Sequence, residues 1–116
     1  MFIAAAIVAG LLALVLAASG QAKLAKNPQV MQGMATVGVP EDRVWLLSIA
    51  EIAGAVGLVA GLFWWPIGVA AAVGVIFYFA GAVGAHIRVK DTANVAIPAV
   101  ILLVAVAALV LRAVAA

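Results

Sequence analysis

The sequence predicts an all-α protein: a bundle of four transmembrane helices, with a short amphipathic interfacial helix between the first and the second. Three observations carry this prediction. The chain is 70% hydrophobic and only 9% charged, far from the roughly 45–50% apolar and 25% charged composition of soluble domains. Its 116 residues make one integral domain, 1–116, too small to hide that much apolar surface from water. Its apolar residues also fall into four continuous runs, each near the ~20 residues a helix needs to cross the hydrocarbon core.

The first run is 2–19, without a charge. The second, 44–63, contains one acid, Glu51. The third, 66–86, is uncharged until Arg88, and the fourth, 95–111, ends at Arg112. Barrel strands are shorter and alternate, so continuous runs rich in Ala and Leu read as helices. The first run could also be a cleaved signal, because Ala17-Ala18-Ser19 resembles a small-residue cleavage site. It lacks a preceding Lys or Arg and is long for such a core, so it is read as a retained span. The chain has no Cys, which removes a lipoprotein signal, disulfides and thiolate metal sites from consideration.

The connections follow. Trp64-Trp65-Pro66 marks a tight interfacial turn, since Trp favours the membrane interface and Pro the first helical turn. Between Asn27-Pro28, a helix start, and Gly38-Val39-Pro40, a stop, Val30, Met31, Met34 and Val37 fall at helical spacing. That pattern fits a short helix lying on the membrane surface or a loop packed on the bundle. The third connection, from Ile87 to Asn94, is short and charged. With four spans both termini share one side. The first and third connections carry Lys23, Lys26, Arg43, Arg88 and Lys90, and the terminal side carries only Arg112. By the positive-inside rule the connections are cytoplasmic and both termini extracytoplasmic.

Glu51 is the main candidate for chemistry. At 1.5 Å rise per residue it lies about 10 Å into the second span. A carboxylate there costs several kcal/mol unless it is paired, protonated or reached by water. It is either a ligand or proton site, or a polar lock between helices. Lys23, Tyr78 and His86 lie toward the same face, and Ser19 and Gln21 sit beside Lys23 at the end of the first span. Tyr78, Ala82 and His86 share one side of the third span. A polar cluster of Ser19, Gln21, Lys23, Glu51, Tyr78 and His86 follows. Each also has a plainer reading: Lys23 snorkelling to headgroups, His86 meeting interfacial water, Tyr78 packing in the core or facing lipid. Gly54, Gly57 and Gly61 in the second span, and Gly81 and Gly84 in the third, suit close helix packing or a homo-oligomer seam.

Several chemistries fall away. One His cannot supply two axial haem ligands, and with one nearby acid it is short of a zinc set, so no metal site is expected. Asp42 and Asp91 lie at connections, and no serine occupies a nucleophile turn. The net charge of +2 is too small and scattered for nucleic acid.

The segments Ser19-Gly20-Gln21-Ala22-Lys23-Leu24, Gly38-Val39-Pro40, Glu51 through Leu58, and Tyr78 through His86 together resemble the DoxX-like family. These are small four-helix membrane proteins of actinobacteria and other bacteria. The resemblance covers nearly the whole chain and implies the bacterial cytoplasmic (inner) membrane. The family's Ser-Gly-x-x-Lys, its membrane Glu and its later His map onto Ser19, Gly20, Lys23, Glu51 and His86. Family members are linked to thiosulfate:quinone oxidoreduction, to redox-homeostasis complexes or to assisting other membrane proteins. Two readings follow. One is a non-enzymatic accessory, a scaffold or a lipid or small-ligand binder, with a membrane-protein partner or a second copy. The other is a quinone-interacting subunit of an oxidoreductase complex. No resident cofactor is predicted; quinone is the ligand the resemblance brings in, because a Glu–His or Tyr–His pair can hydrogen-bond a quinone carbonyl and move its protons.

Overall fold

The computed structural model describes residues 2–90 and 95–115. Among these the elements run α1 (Phe2–Leu24), α2 (Pro28–Thr36), a 3₁₀ turn (Glu41–Arg43), α3 (Val44–Ala60), α4 (Trp65–Arg88) and α5 (Ala96–Val114). Four of them, α1, α3 with its leading turn, α4 and α5, are long and apolar enough to cross a membrane. The short helix stands between the first two spans, as expected. Asp91 and Asn94, assigned by the sequence to the third connection, lie outside the described residues.

Local chemistry sets the boundaries. α1 continues past Ser19 to Leu24, because apolarity marks the hydrocarbon and not the end of a helix. It stops at Lys26, whose φ of 55° is left-handed, and Asn27 N donates back to Ala22 O at 3.1 Å. Asn27 then caps α2: its Oδ1 accepts from Gln29 N at 3.0 Å and Val30 N at 3.4 Å, with Pro28 next. α2 ends at Gly38, φ 85°, where Val39 N donates to Met34 O at 2.9 Å. That is the wrap a left-handed residue after a helix permits. α3 stops at Ala60, three residues before the apolar run does, where Gly61 opens the turn to α4.

The four spans form a ring. α1 packs most extensively on α3, and α4 on α5; thinner α3–α4 and α1–α5 contacts close it. Leu12, Leu16, Leu58, Val75 and Phe79 fill the centre, and Ala72, Ala105 and Ala108 let the helices approach. Large apolar side chains such as Ile7, Leu14, Val56, Phe77 and Leu103 are exposed, as a lipid-facing surface requires. Exposed Trp45 lies near one end and Trp64 near the other, the arrangement of two interfacial aromatic belts. The longest dimension is 40 Å, matching a bilayer of about 40–45 Å with its headgroup regions.

Glycine positions Gly54, Gly57 and Gly61 hold α3 against α4. A Cβ on Gly61 would stand 2.1 Å from Gly68 Cα, one on Gly57 2.9 Å from Ala71 Cβ, and one on Gly54 3.0 Å from Val75 Cγ2. Gly81 and Gly84 do otherwise: a Cβ on either meets nothing within 4 Å. Gly84 is exposed on α4 and Gly81 opens on a space shared with Met34 and Leu47, so neither brings helices of this chain into close contact.

At the end carrying both termini, Arg112 Nε donates to Gly61 O at 2.9 Å and Nη1 to Ala115 O at 3.3 Å. Trp65 Nε1 donates to Arg112 O at 3.0 Å, and the guanidinium lies 5.7 Å from the centre of the Phe2 ring. Arg112 thus satisfies a carbonyl at the end of α3 and ties α1, α4 and α5 to it.

Candidate functional site

The site begins with a close helix crossing. Gly20 on α1 lies against α3 so tightly that a Cβ would be 2.8 Å from Ile52 Cγ1 and 3.2 Å from Ser48 O. This crossing sets the backbones of α1 and α3 side by side near Lys23 and Glu51. Helical side chains lean toward the N-terminus of their helix. α1 and α3 are antiparallel, so Lys23 leans inward from the connection face and Glu51 leans outward to meet it.

Lys23 Nζ donates to Glu51 Oε1 and to Ser19 Oγ, the latter at 2.9 Å. Tyr78 OH on α4 donates to the same Glu51 Oε1 at 2.8 Å. Glu51 is 2% exposed and Lys23 8%. The lysine therefore does not snorkel; its charge is spent inside the bundle. Ser48, wholly buried one turn before Glu51, donates to its own helix at Val44 O, 3.4 Å away. Glu51 Oε2 is buried and has no hydrogen-bond partner. In a low-dielectric setting such an acceptor costs free energy until a donor reaches it.

Of the residues picked out by sequence, Ser19, Lys23, Glu51 and Tyr78 come together. Gln21 is exposed, roughly 200° round α1 from Lys23, and is not in the cluster. His86 lies two turns beyond Tyr78 on α4, about 12 Å further toward the connection face. Its Nδ1 is 2.8 Å from Ala82 O, a bond that requires the proton on Nδ1, since a carbonyl only accepts.

Two cavities border the cluster. A cleft of about 330 Å³ between α3 and α4 is lined by Glu51, Tyr78, Leu16, Gly54, Ala71 and Gly74, among others. Ala50, Ala53 and Gly74 at its rim are exposed, so it opens on the outer surface of the bundle. Its outer wall is made of small residues, Ala50, Ala53, Gly54, Ala71 and Gly74, which leave space between α3 and α4, and Leu16, Val75 and Phe79 form its inner wall. The second cavity, about 260 Å³, lies under the connection after α2 and is lined by Met34, Val37, Leu47, Tyr78, Ala82 and His86, among others. Tyr78 is common to both. Gly74 and Met34 escaped the sequence reading: a Gly within an apolar helix looks like packing, and a Met on a short amphipathic helix looks like membrane contact. No group of three or more His, Cys, Asp and Glu able to hold a metal occurs among the described residues.

Fold and site together define a small multi-pass membrane protein built round one buried lysine–glutamate pair beside a lateral cleft. Residues 7–108 match the family model described as the DoxX-like family, and the chain belongs to that family. No curated protein and no solved structure matches it.

Proposed function

We propose that the chain is a non-enzymatic accessory of the bacterial cytoplasmic membrane that binds a small ligand from the bilayer in the α3–α4 cleft. The ligand has an apolar body and a head that donates a hydrogen bond. The observation carrying this reading is Glu51: it lines the cleft while its Oε2 is buried without a donor. Apart from Tyr78 the rest of the lining is apolar, which suits an acyl or ring body oriented by few polar groups. The positive charge of the first and third connections supports a cytoplasmic placement for them and an extracytoplasmic one for the termini. Outward-facing Gly84 suits a membrane-protein partner or a second copy on α4.

A variant that closes the cleft without disturbing the core tests the reading. Gly74 lines the cleft, and a Cβ there meets nothing within 4 Å, so Gly74→Leu fills it from open space. Native mass spectrometry of the chain released from its own membrane should show a retained small molecule that Gly74→Leu loses. Gly81→Leu, filling the second cavity, should keep it. Equal retention in both variants would remove the cleft as the site.

A second reading, a quinone-interacting subunit of an oxidoreductase complex, draws on the Tyr78 hydroxyl held by Glu51 at the cleft. A quinone carbonyl would take the single O–H of Tyr78 in place of Glu51 Oε1, which Lys23 still holds, and the electrons would come from a partner, since this chain has no Cys and no metal cluster among its described residues. Extraction of the retained molecule separates the two readings: a redox-active ring favours the second, a lipid or other donor-headed molecule the first.

A further inference from the structure

We infer that Lys23 and Glu51 form a proton-transfer path from the connection-side face of the membrane to the α3–α4 cleft; the inference rests on the cleft being a ligand site and says what that ligand exchanges.

The two partners border different openings. Glu51 lines the cleft. Lys23 lines a separate recess of about 130 Å³ under α2, with Lys26, Glu41 and Asp42 beside the apolar Leu24, Met31, Val44 and Trp45. Lys26, Glu41 and Asp42 are all exposed, so the recess communicates with the connection-side surface. At about 30 Å³ of liquid volume per water, it has room for a few waters among charged partners. A lock that only held helices together would be sealed on both sides. Here the lysine of the ion pair borders one opening and the glutamate borders the other, and the carboxylate keeps one oxygen uncommitted.

The step balances simply. An N–H bond of the Lys23 ammonium breaks and an O–H bond forms on Glu51, turning the ion pair into a neutral amine and a carboxylic acid. The amine takes a proton from water in the recess. The acid releases its proton at the cleft to a ligand head carrying a basic oxygen or nitrogen, and the ion pair is restored. One proton crosses, no electron moves and the chain ends unchanged. An acidic head would run the sequence in reverse. Tyr78, donating to Oε1, is a positioning residue that keeps the carboxylate between Lys23 and the cleft. Around Glu51 the charged or titratable groups are Lys23 from α1 and Tyr78 from α4. Beyond Lys23 lie Lys26, Glu41 and Asp42 at the recess, and His86 lies further along α4. The charged residue of α5, Arg112, is at the opposite end with Gly61.

Dicyclohexylcarbodiimide tests this, because it dissolves in the bilayer and modifies protonated carboxyl groups in apolar surroundings. Vesicles holding the protein in one orientation are labelled with the pH varied on one side at a time, and modification at Glu51 is read by peptide mass spectrometry. Labelling should rise at least fivefold as the connection-side pH is lowered by two units, and stay unchanged when the terminal side is varied. Lys23→Arg keeps the charge and the pairing but holds its proton, and should lose that sidedness. Gly74→Leu should abolish labelling. Control by the terminal-side pH, indifference to both sides, or sidedness surviving Lys23→Arg each overturns the path and leaves the cleft standing. Labelling that persists in Gly74→Leu overturns the cleft itself. No labelling of the wild type at any pH overturns the path, and ligand retention then decides the cleft.

Discussion

Lys23 and Glu51, 28 residues apart in sequence, meet inside the bundle with Tyr78 on the same carboxylate oxygen and nothing on the other. The pair joins α1 to α3, and through Tyr78 to α4. Most consequences of this structure concern what happens when one member of that trio is removed.

Removing a single partner leaves a bare charge in a low-dielectric site, at about 3–5 kcal/mol, whereas replacing both by apolar residues can be nearly neutral. Lys23→Met and Glu51→Leu should therefore each destabilise the bundle strongly, and the double variant should be more stable than either single one. Unfolding in mixed detergent micelles measures all three. If the double variant loses the sum of the two, the charges are not coupled as described.

Tyr78→Phe removes a hydrogen bond to a charged acceptor and should cost about 1.5–3 kcal/mol. Because Lys23 still holds Glu51, the loss should be smaller than that of Lys23→Met in the same unfolding assay. A loss as large would mean that the tyrosine, not the lysine, is the principal partner.

Arg112 is the corresponding clasp at the other end. Arg112→Leu gives up the charge-assisted bond to Gly61 O and the favourable charge at the end of α3, together about 2–4 kcal/mol. Limited proteolysis should then open the chain near Phe63 first. Cleavage confined to the α2 region would argue that Arg112 restrains nothing.

The glycines divide by what they touch. Gly61→Ala would press a methyl into the Gly68 backbone and should prevent the α3–α4 turn from closing, read as a collapse of thermal stability. Gly84→Ala meets open space and should stabilise slightly, by up to about 1 kcal/mol, through helix propensity alone. A destabilising Gly84→Ala would reveal a partner packed on α4.

The orientation is open to a clean test, since the native chain has no Cys. A single Cys at Gln32 should react with an impermeant thiol reagent only from the cytoplasmic side, and one at Ala113 only from the opposite side. Reaction of both from one side would break the even-span topology.

The four spans were legible because lipid imposes a length and an apolarity that a sequence cannot disguise. The helix ends were less so: α1 runs past Ser19 and α3 stops before Phe63, since hydropathy reports solvent and Gly61 with Lys26 reports backbone. Within the cluster, Lys23, Glu51 and Tyr78 were legible from depth and helical face. His86 shares Tyr78's face but not its depth, which is why the same periodicity that placed Tyr78 correctly left His86 two turns away. Gln21 failed for the complementary reason, having the depth without the face. The cleft left no signature, because a cavity is a property of what two helices lack where they meet.

The rim of that cleft is made of Ala50, Ala53 and Gly74, flush with a surface that hydrocarbon covers. Whatever enters need never pass through water to do so. Its effective concentration is set by partition into a thin slab of lipid and not by its solubility, so weak intrinsic attraction is enough for high occupancy. A ligand of the proposed kind would compete with other molecules dissolved in the membrane, and its selection would fall to Glu51 and Tyr78, the polar groups of the lining. An assay run in bulk detergent dilutes that slab, and would make a well-occupied site look empty.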